Sequence, residues 1–260
     1  MAGVNVLVIR TAQMDVLQRD REETFREDLV LHSQSFAPEL CRVAGEDNVR
    51  ATIERGLATA RGYGFTLRGP LRFFIELMLS FGSSMDDDPL LPWISEELTN
   101  QRAHELTRAG RLYRRMTQFF DTVMGPSNEY ALAALLRATM AEPDEYDRHT
   151  GEPDDRIDQI LTTAFPQKKE YAGVAGTRAL VAEAHSICAP LGIVREQHVA
   201  FVVVLMFAFG HGVIDDLLYP WAGHTLRDGS IGSMAERVLR LQRRTRTYAE
   251  RAYRNLAPTP

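Results

Sequence analysis

Cysteine is scarce in this chain, and that scarcity excludes two classes at once. There are two, Cys41 and Cys188, far apart and without metal-ligand spacing. A disulfide framework or a thiolate metal site needs more cysteines, closer together. Both therefore read as reduced core residues. The Cys188–His185 neighbourhood, in the Ala-rich stretch "ALVAEAHSICAP", reads as a small core residue in a helix rather than as a Cys–His nucleophile. Signature loops are missing as well: there is no G-x-S-x-G, no Walker loop, no H-E-x-x-H and no C-x-x-C. No catalytic residue and no cofactor are expected. A strong excess of one charge is also lacking. The net charge is −5, with 25% charged and 45% apolar residues in 260. A general nucleic-acid binder is usually strongly basic, so no nucleic-acid partner is expected.

Long apolar runs are missing too. The most apolar stretch, "VAFVVVLMFAF" at 199–209, ends at Gly210, His211 and Gly212. A membrane span needs about 20 apolar residues, so this run reads as a buried core element. The start, "MAGVNVLVIRTAQMDVL", shows no basic region followed by an apolar stretch. The expected compartment is the cytoplasm.

What the chain does contain is a repetition. Tryptophan occurs twice, in "FGSSMDDDPLLPW" at 81–93 and in "FGHGVIDDLLYPW" at 209–221. Residues 63–93 lie over 191–221 without a gap, giving 11 identities in 31 positions. The paired positions include Gly64 and Gly192, Gly82 and Gly210, Asp88 and Asp216, and Trp93 and Trp221. Such self-similarity fixes architecture, and a period of this length is too long for a solenoid. The expectation is an all-α fold: two pseudo-repeated helical halves with buried apolar central helices, packed around a pseudo-twofold axis. The boundaries expected are 1–125 for the first half, 126–160 for a connecting segment and 161–260 for the second half, in one compact domain. A short strand over "VNVLVIR" is the one expected exception to all-α.

Helical periodicity runs through the chain. Residues 11–33 carry Met14, Leu17, Phe25, Leu29 and Leu31 among charges. Val49, Ile53 and Leu57 recur at spacing four within 46–62. The stretch 67–82 is apolar except for a thin stripe of Arg68, Arg72, Glu76 and Ser80. Its twin at 195–210 is rich in Val and Phe, which favours a strand by propensity; the repeat predicts a helix there instead. Residues 95–124 and 233–256 predict Arg-rich amphipathic helices. The stretch 233–256 holds seven Arg and two Glu, whereas 142–158 holds eight acids and two Arg and reads as an exposed, mobile connection. Gly82 and Gly210 predict helix ends, and Asp88 before Pro89 predicts the N-cap of a new helix. Trp93 would then plug against the core.

One constellation bears on chemistry. His211, Asp215 and Asp216 are candidates to hold a metal ion, His and Asp as an i, i+4 pair, with Asp86, Asp87 and Asp88 of the other copy completing a carboxylate site for water activation. Against this, His211 aligns with Ser83, and glycines flank it. The reading preferred here leaves these residues structural. It expects partners to dock through apolar grooves with arginine rims, Arg240, Arg243 and Arg244 among them. The acidic stretch and the basic helix either form two faces of a partner surface or screen each other.

The residues "YGFT" at 63–66, "ELMLSFG" at 76–82 and "DDDPLLPW" at 86–93 resemble a pattern found in a family of bacterial proteins of unassigned reaction. That pattern runs Tyr-Gly-[Ile/Phe]-Thr, a helix ending Leu-Met-x-x-Phe-Gly, then Phe-Asp-x-Asp-Pro-x-x-Pro-Trp. Family members are typically encoded near type VI secretion spike proteins, PAAR tip proteins and polymorphic toxins. The likeness covers about residues 11–100, and Met85 stands where the family usually has Phe. The resemblance implies an accessory role for a secreted effector, as adaptor, chaperone or immunity protein, with a protein partner. It carries over no catalytic residue. Two other classes stay open: a metal-dependent hydrolase at the Asp-Asp loops, and a membrane-active effector.

Overall fold

The computed structural model describes residues 11–140 and 145–256. Among them only helices and connections occur, so the fold is all-α. In chain order the elements are α1 (Thr11–Phe36), α2 (Pro38–Ala44), α3 (Glu46–Gly62), α4 (Arg68–Phe81), α5 (Pro92–Thr99), α6 (Glu105–Phe119), a π-helical turn (Phe120–Met124), α7 (Glu129–Met140), α8 (Glu145–Arg148), α9 (Pro153–Ala164), α10 (Pro166–Leu191), α11 (Glu196–Phe209), α12 (Pro220–Arg227) and α13 (Met234–Leu256). The stretch "VNVLVIR", expected to hold a short strand, lies outside the described residues.

The core is built on α4 and α11. Leu71, Phe74, Ile75, Leu77, Met78, Leu79 and Phe81 of α4 are buried, and so are Val199, Val202, Val203, Leu205, Met206 and Phe207 of α11. Apolar side chains on nearly every side mark a helix enclosed by others. The valines of α11 override their strand preference because that burial outweighs the propensity difference. On α4 the thin polar stripe faces outward: Arg72 pairs with Glu76 at 3.1 Å, and His32 of α1 reaches the same carboxylate at 2.7 Å. On α1 the buried face is Phe25, Leu29, Val30 and Ser33, whereas Leu31 is exposed. The next residue on an i, i+4 face after Phe25 and Leu29 is Ser33, so Leu31 points outward although it is apolar.

Three local expectations are corrected. The helix expected over 95–124 is two, α5 and α6, broken at Asn100–His104, where His104 accepts the Leu106 N–H as a new cap. The stretch 142–158 is not simply an exposed connection. It includes α8 and the start of α9; Tyr146 and Ile157 are buried, and Pro153 with Asp154 and Asp155 supplies a good first helical turn. The helix after Asp88 begins at Pro92, with Leu91 before it and no side-chain cap, and not at Pro89.

Some helix boundaries and turn dihedrals recur at a spacing of 128 residues. Helices α4 and α11, and likewise α5 and α12, start and end at that spacing. Ala37 (φ −134°, ψ 66°) and Phe165 (φ −133°, ψ 56°) precede the prolines that open α2 and α10. Gly45 ends α2, and its counterpart Gly173, at φ 65°, kinks α10. Gly64 and Gly192 turn at φ 77° and 74°. Leu91 (φ −128°, ψ 47°) and Tyr219 (φ −124°, ψ 54°) precede Pro92 and Pro220.

Candidate functional site

The two Asp-Asp loops cross each other, with Asp88 and Asp216 buried. Each buried aspartate bonds within its own loop: Asp88 Oδ1 accepts the Leu90 N–H at 2.8 Å, and Asp216 Oδ1 accepts the Leu218 N–H at 2.9 Å. This is an Asx turn, in which the side chain stands in for a backbone acceptor. The second oxygens reach across. Asp216 Oδ2 accepts the Ser83 N–H at 2.7 Å, and Asp88 Oδ2 lies 3.4 Å from the His211 amide. Ser83 and His211 are themselves counterparts, so the exchange is reciprocal. Gly82 and Gly210 let the chains approach: a Cβ on Gly82 would sit 3.0 Å from the Phe209 carbonyl oxygen, and one on Gly210 2.4 Å from that of Phe81.

His211 stands 128 residues after Ser83 and brings a ring to the crossing that the serine lacks. Its Nε2 lies 3.1 Å from Asp87 Oδ1 and 3.7 Å from Glu183 Oε1, and its Nδ1 lies 3.5 Å from Asp88 Oδ2. Burial pushes the imidazole toward the neutral form, but Asp88, Glu183 and Asp87 outweigh it and raise the His211 pKa above the usual histidine value. Burial likewise pushes Asp88 up, while His211, the Lys168 charge and the Leu90 N–H together hold it below the ordinary carboxylate range. Glu183 is raised, chiefly by burial. Lys168, one of only two lysines in the chain, donates to the Phe207 carbonyl at 2.5 Å, and burial lowers its amine despite Asp88. Nearby, the Tyr63 hydroxyl donates to Asp86 at 3.0 Å and is pushed up to about 12, first by burial and then by Asp86.

His211 therefore faces Asp87 and Asp88, not Asp215 and Asp216. The residues 211–215 form turns rather than a helix, so an i, i+4 pair does not arise. Asp215 is turned outward onto Arg227, and both Asp216 oxygens are held by backbone N–H groups. Among the described residues, no group of three or more His, Cys, Asp and Glu is placed to hold a metal ion. Cys188 is buried while His185 is exposed.

These shifts set a pH dependence. The His211 pKa is raised on folding, so its contribution is full below about pH 6.5 and is lost as pH rises through the folded value. Raised Glu183 acts in the same direction. Asp88 is lowered, so its contribution is present above its unfolded value near 3.8 and is lost as pH falls through the folded one. Thermal melts are expected to show a melting temperature that declines from pH 6 toward 8, with a flatter decline in His211→Gln. An equal slope in both proteins would refute this coupling.

A second candidate site is a groove beside α12 and α13. Val238, Leu241 and Ala249 turn one side of α13 into the core. Beside them Arg240, Arg243, Arg244, Thr247, Tyr248 and Arg251 join Trp221 and Val43 around a groove of about 500 Å³. The three arginines expected from the sequence are all there. Trp221 lies at 5.7 Å and 32° on Tyr248 and edge-on to Phe209 at 6.0 Å. Burial pushes the Tyr248 hydroxyl up to about 12, with Glu39 adding to it. Arg244 also donates to Thr225 Oγ1 at 2.5 Å. The hollow at the α5–α6 turn, about 570 Å³, is lined only by Thr99, Asn100, Gln101 and Arg102 and brings no converging side chains.

The twin tryptophan is covered. Trp93 is 4% exposed and meets Phe81 edge-on at 5.9 Å. Phe119 packs on Phe81 at 5.2 Å, and Tyr171 of α10 closes over Phe119 at 5.0 Å. The position 128 residues before Tyr171 is Val43, which lines the groove at Trp221. The sequence reading singled out neither Val43, Tyr248 and Arg251 nor Lys168 and Glu183. The spacing of Arg240, Arg244 and Arg251 on one helix face was the available signal for the groove.

Among the described residues, no helix is long and apolar enough to cross a membrane. Comparison with family models, curated proteins and solved structures finds no match to this chain.

Proposed function

We propose that this is a non-enzymatic, cytoplasmic binding protein that serves a secreted bacterial effector of type VI secretion as adaptor, chaperone or immunity factor. One observation carries the binding reading: a groove on α12–α13 lined by four arginines, with Trp221 and Tyr248 among its walls. Interfaces draw much of their energy from tryptophan, tyrosine and arginine in such settings. The effector context rests on the likeness of "YGFT", "ELMLSFG" and "DDDPLLPW" to the bacterial family. The crossing loops serve as a structural joint in this reading, because both buried aspartates are engaged by backbone N–H groups. We also read the halves as copies of one helical unit about a pseudo-twofold axis, which the reciprocal bonds of Asp88 and Asp216 support.

The test is to express the tagged chain with its native neighbouring genes and identify co-purifying proteins by mass spectrometry. A stoichiometric effector or spike protein is expected. Purification of the chain alone, with every neighbour expressed, would overturn the reading.

A further inference from the structure

We infer that the α12–α13 groove binds an acidic peptide segment that lays an aromatic or aliphatic side chain on Trp221. This deepens the proposed function and rests on it for the existence of a protein partner. The charge is arranged as a line and not as a point. Arg240, Arg243, Arg244 and Arg251 lie on one stretch of α13, and eleven residues of helix span about 16 Å. A single small anion would engage one end of that line. A segment with several carboxylates matches its length, each one able to take a guanidinium in paired hydrogen bonds. No acidic residue lines the groove. Two acids outside the lining feel these arginines and are already engaged: Glu39, near Arg251, is held by Arg42, and Asp228, near Arg240, is held by Ser230.

The apolar half of the ligand follows from the comparison of the two tryptophans. Around Trp93 the aromatic cluster is closed by Tyr171. At the equivalent place beside Trp221 stands Val43, and the smaller side chain leaves room. An aromatic side chain from a partner would fill there what Tyr171 fills in the other half. A nucleic acid is disfavoured, since the chain as a whole carries −5 and repels a polyanion that extends beyond the groove.

The probe is a fluorescent peptide of about four Asp and Glu residues around one central Phe, which when extended covers the roughly 16 Å arginine line without running far beyond it. Binding to the full chain is followed by anisotropy. Saturable binding is expected, weakened about tenfold or more by Arg240→Glu with Arg243→Glu. Replacing the peptide's Phe by Ala should weaken binding to the wild type and have little further effect in Trp221→Ala. Circular dichroism melts of each variant confirm folding, and Arg240→Ala with Arg243→Ala provides a milder second pair. No binding, or binding unchanged by both arginine pairs, overturns the inference. Equal competition by single-stranded DNA or phosphatidylserine vesicles overturns it as well, by showing a general polyanion surface. These failures differ from failure of the proposed function: a neighbour-encoded protein that co-purifies undisturbed by the arginine variants leaves that reading standing and removes only the groove.

Discussion

Replacing Asp88 by alanine is expected to cost on the order of 3–5 kcal/mol of stability, more than any other single change at the crossing. Asp88 is 3% exposed, and three kinds of group depend on it. The Leu90 N–H donates to it at 2.8 Å, the His211 ring lies 3.5 Å away, and the charge of Lys168 is opposed by it. Truncation leaves a buried amide without its acceptor, removes the buried carboxylate beside the His211 ring and takes away the anion that acts on Lys168. Removing one partner of a buried charged set costs far more than the set contributes by itself. Asp88→Asn keeps the Asx turn and loses the charge, so it should fall between alanine and wild type. Asp216→Ala strands the Ser83 and Leu218 amides but no charged partner, and about 2–4 kcal/mol is expected. Urea midpoints with unchanged slopes measure all three. An Asp88→Ala loss below about 1 kcal/mol, the value of an ordinary exposed hydrogen bond, would contradict the account of the joint.

Gly210→Ala is the second large effect. Gly210 sits at φ 102°, where an L side chain is strained, and an added Cβ would lie 2.4 Å from the backbone oxygen of Phe81. Backbone cannot swing aside as a flexible side chain can, so the two loops must separate. A loss of roughly 3 kcal/mol or more is expected, combining conformational strain with the clash. Gly82→Ala meets the Phe209 oxygen at 3.0 Å with φ 96° and should cost less. The order of the two variants is the informative result, because strain alone would make them equal. Chemical denaturation of both gives it directly.

How much of this was legible in the sequence depends on range. Helix α3 matches the spacing of Val49, Ile53 and Leu57, and α4 its apolar character, because both signals are local. Valine-rich α11 was legible only through its resemblance to α4. The break between α5 and α6 escaped because residues 100–104 contain neither glycine nor proline to signal it. Helix α9 was hidden by charge: Asp154 and Asp155 read as a solvated loop, although they occupy the favourable first turn of a helix whose Ile157 and Leu161 are buried. Asp88 shows the limit most clearly. Asp before Pro signals a cap or a turn equally well, and only the partner loop, far along the chain, decides between them. His211 was singled out for the right residue type with the wrong neighbours, since its carboxylates come from the other loop and from Glu183 on α10. The arginine stripe of the groove was readable from α13 alone, while Val43 needed the fold.

The most direct test of the account is a side-by-side co-purification from the native gene neighbourhood. The wild-type chain is compared with Arg240→Glu, Arg243→Glu, Arg244→Glu in one protein, with folding confirmed by its melt. The account predicts that the wild type retains a neighbour-encoded effector or spike protein at fixed stoichiometry and that the triple variant loses it. Retention by neither would contradict the proposed function, and equal retention by both would contradict the groove as the place where the partner binds.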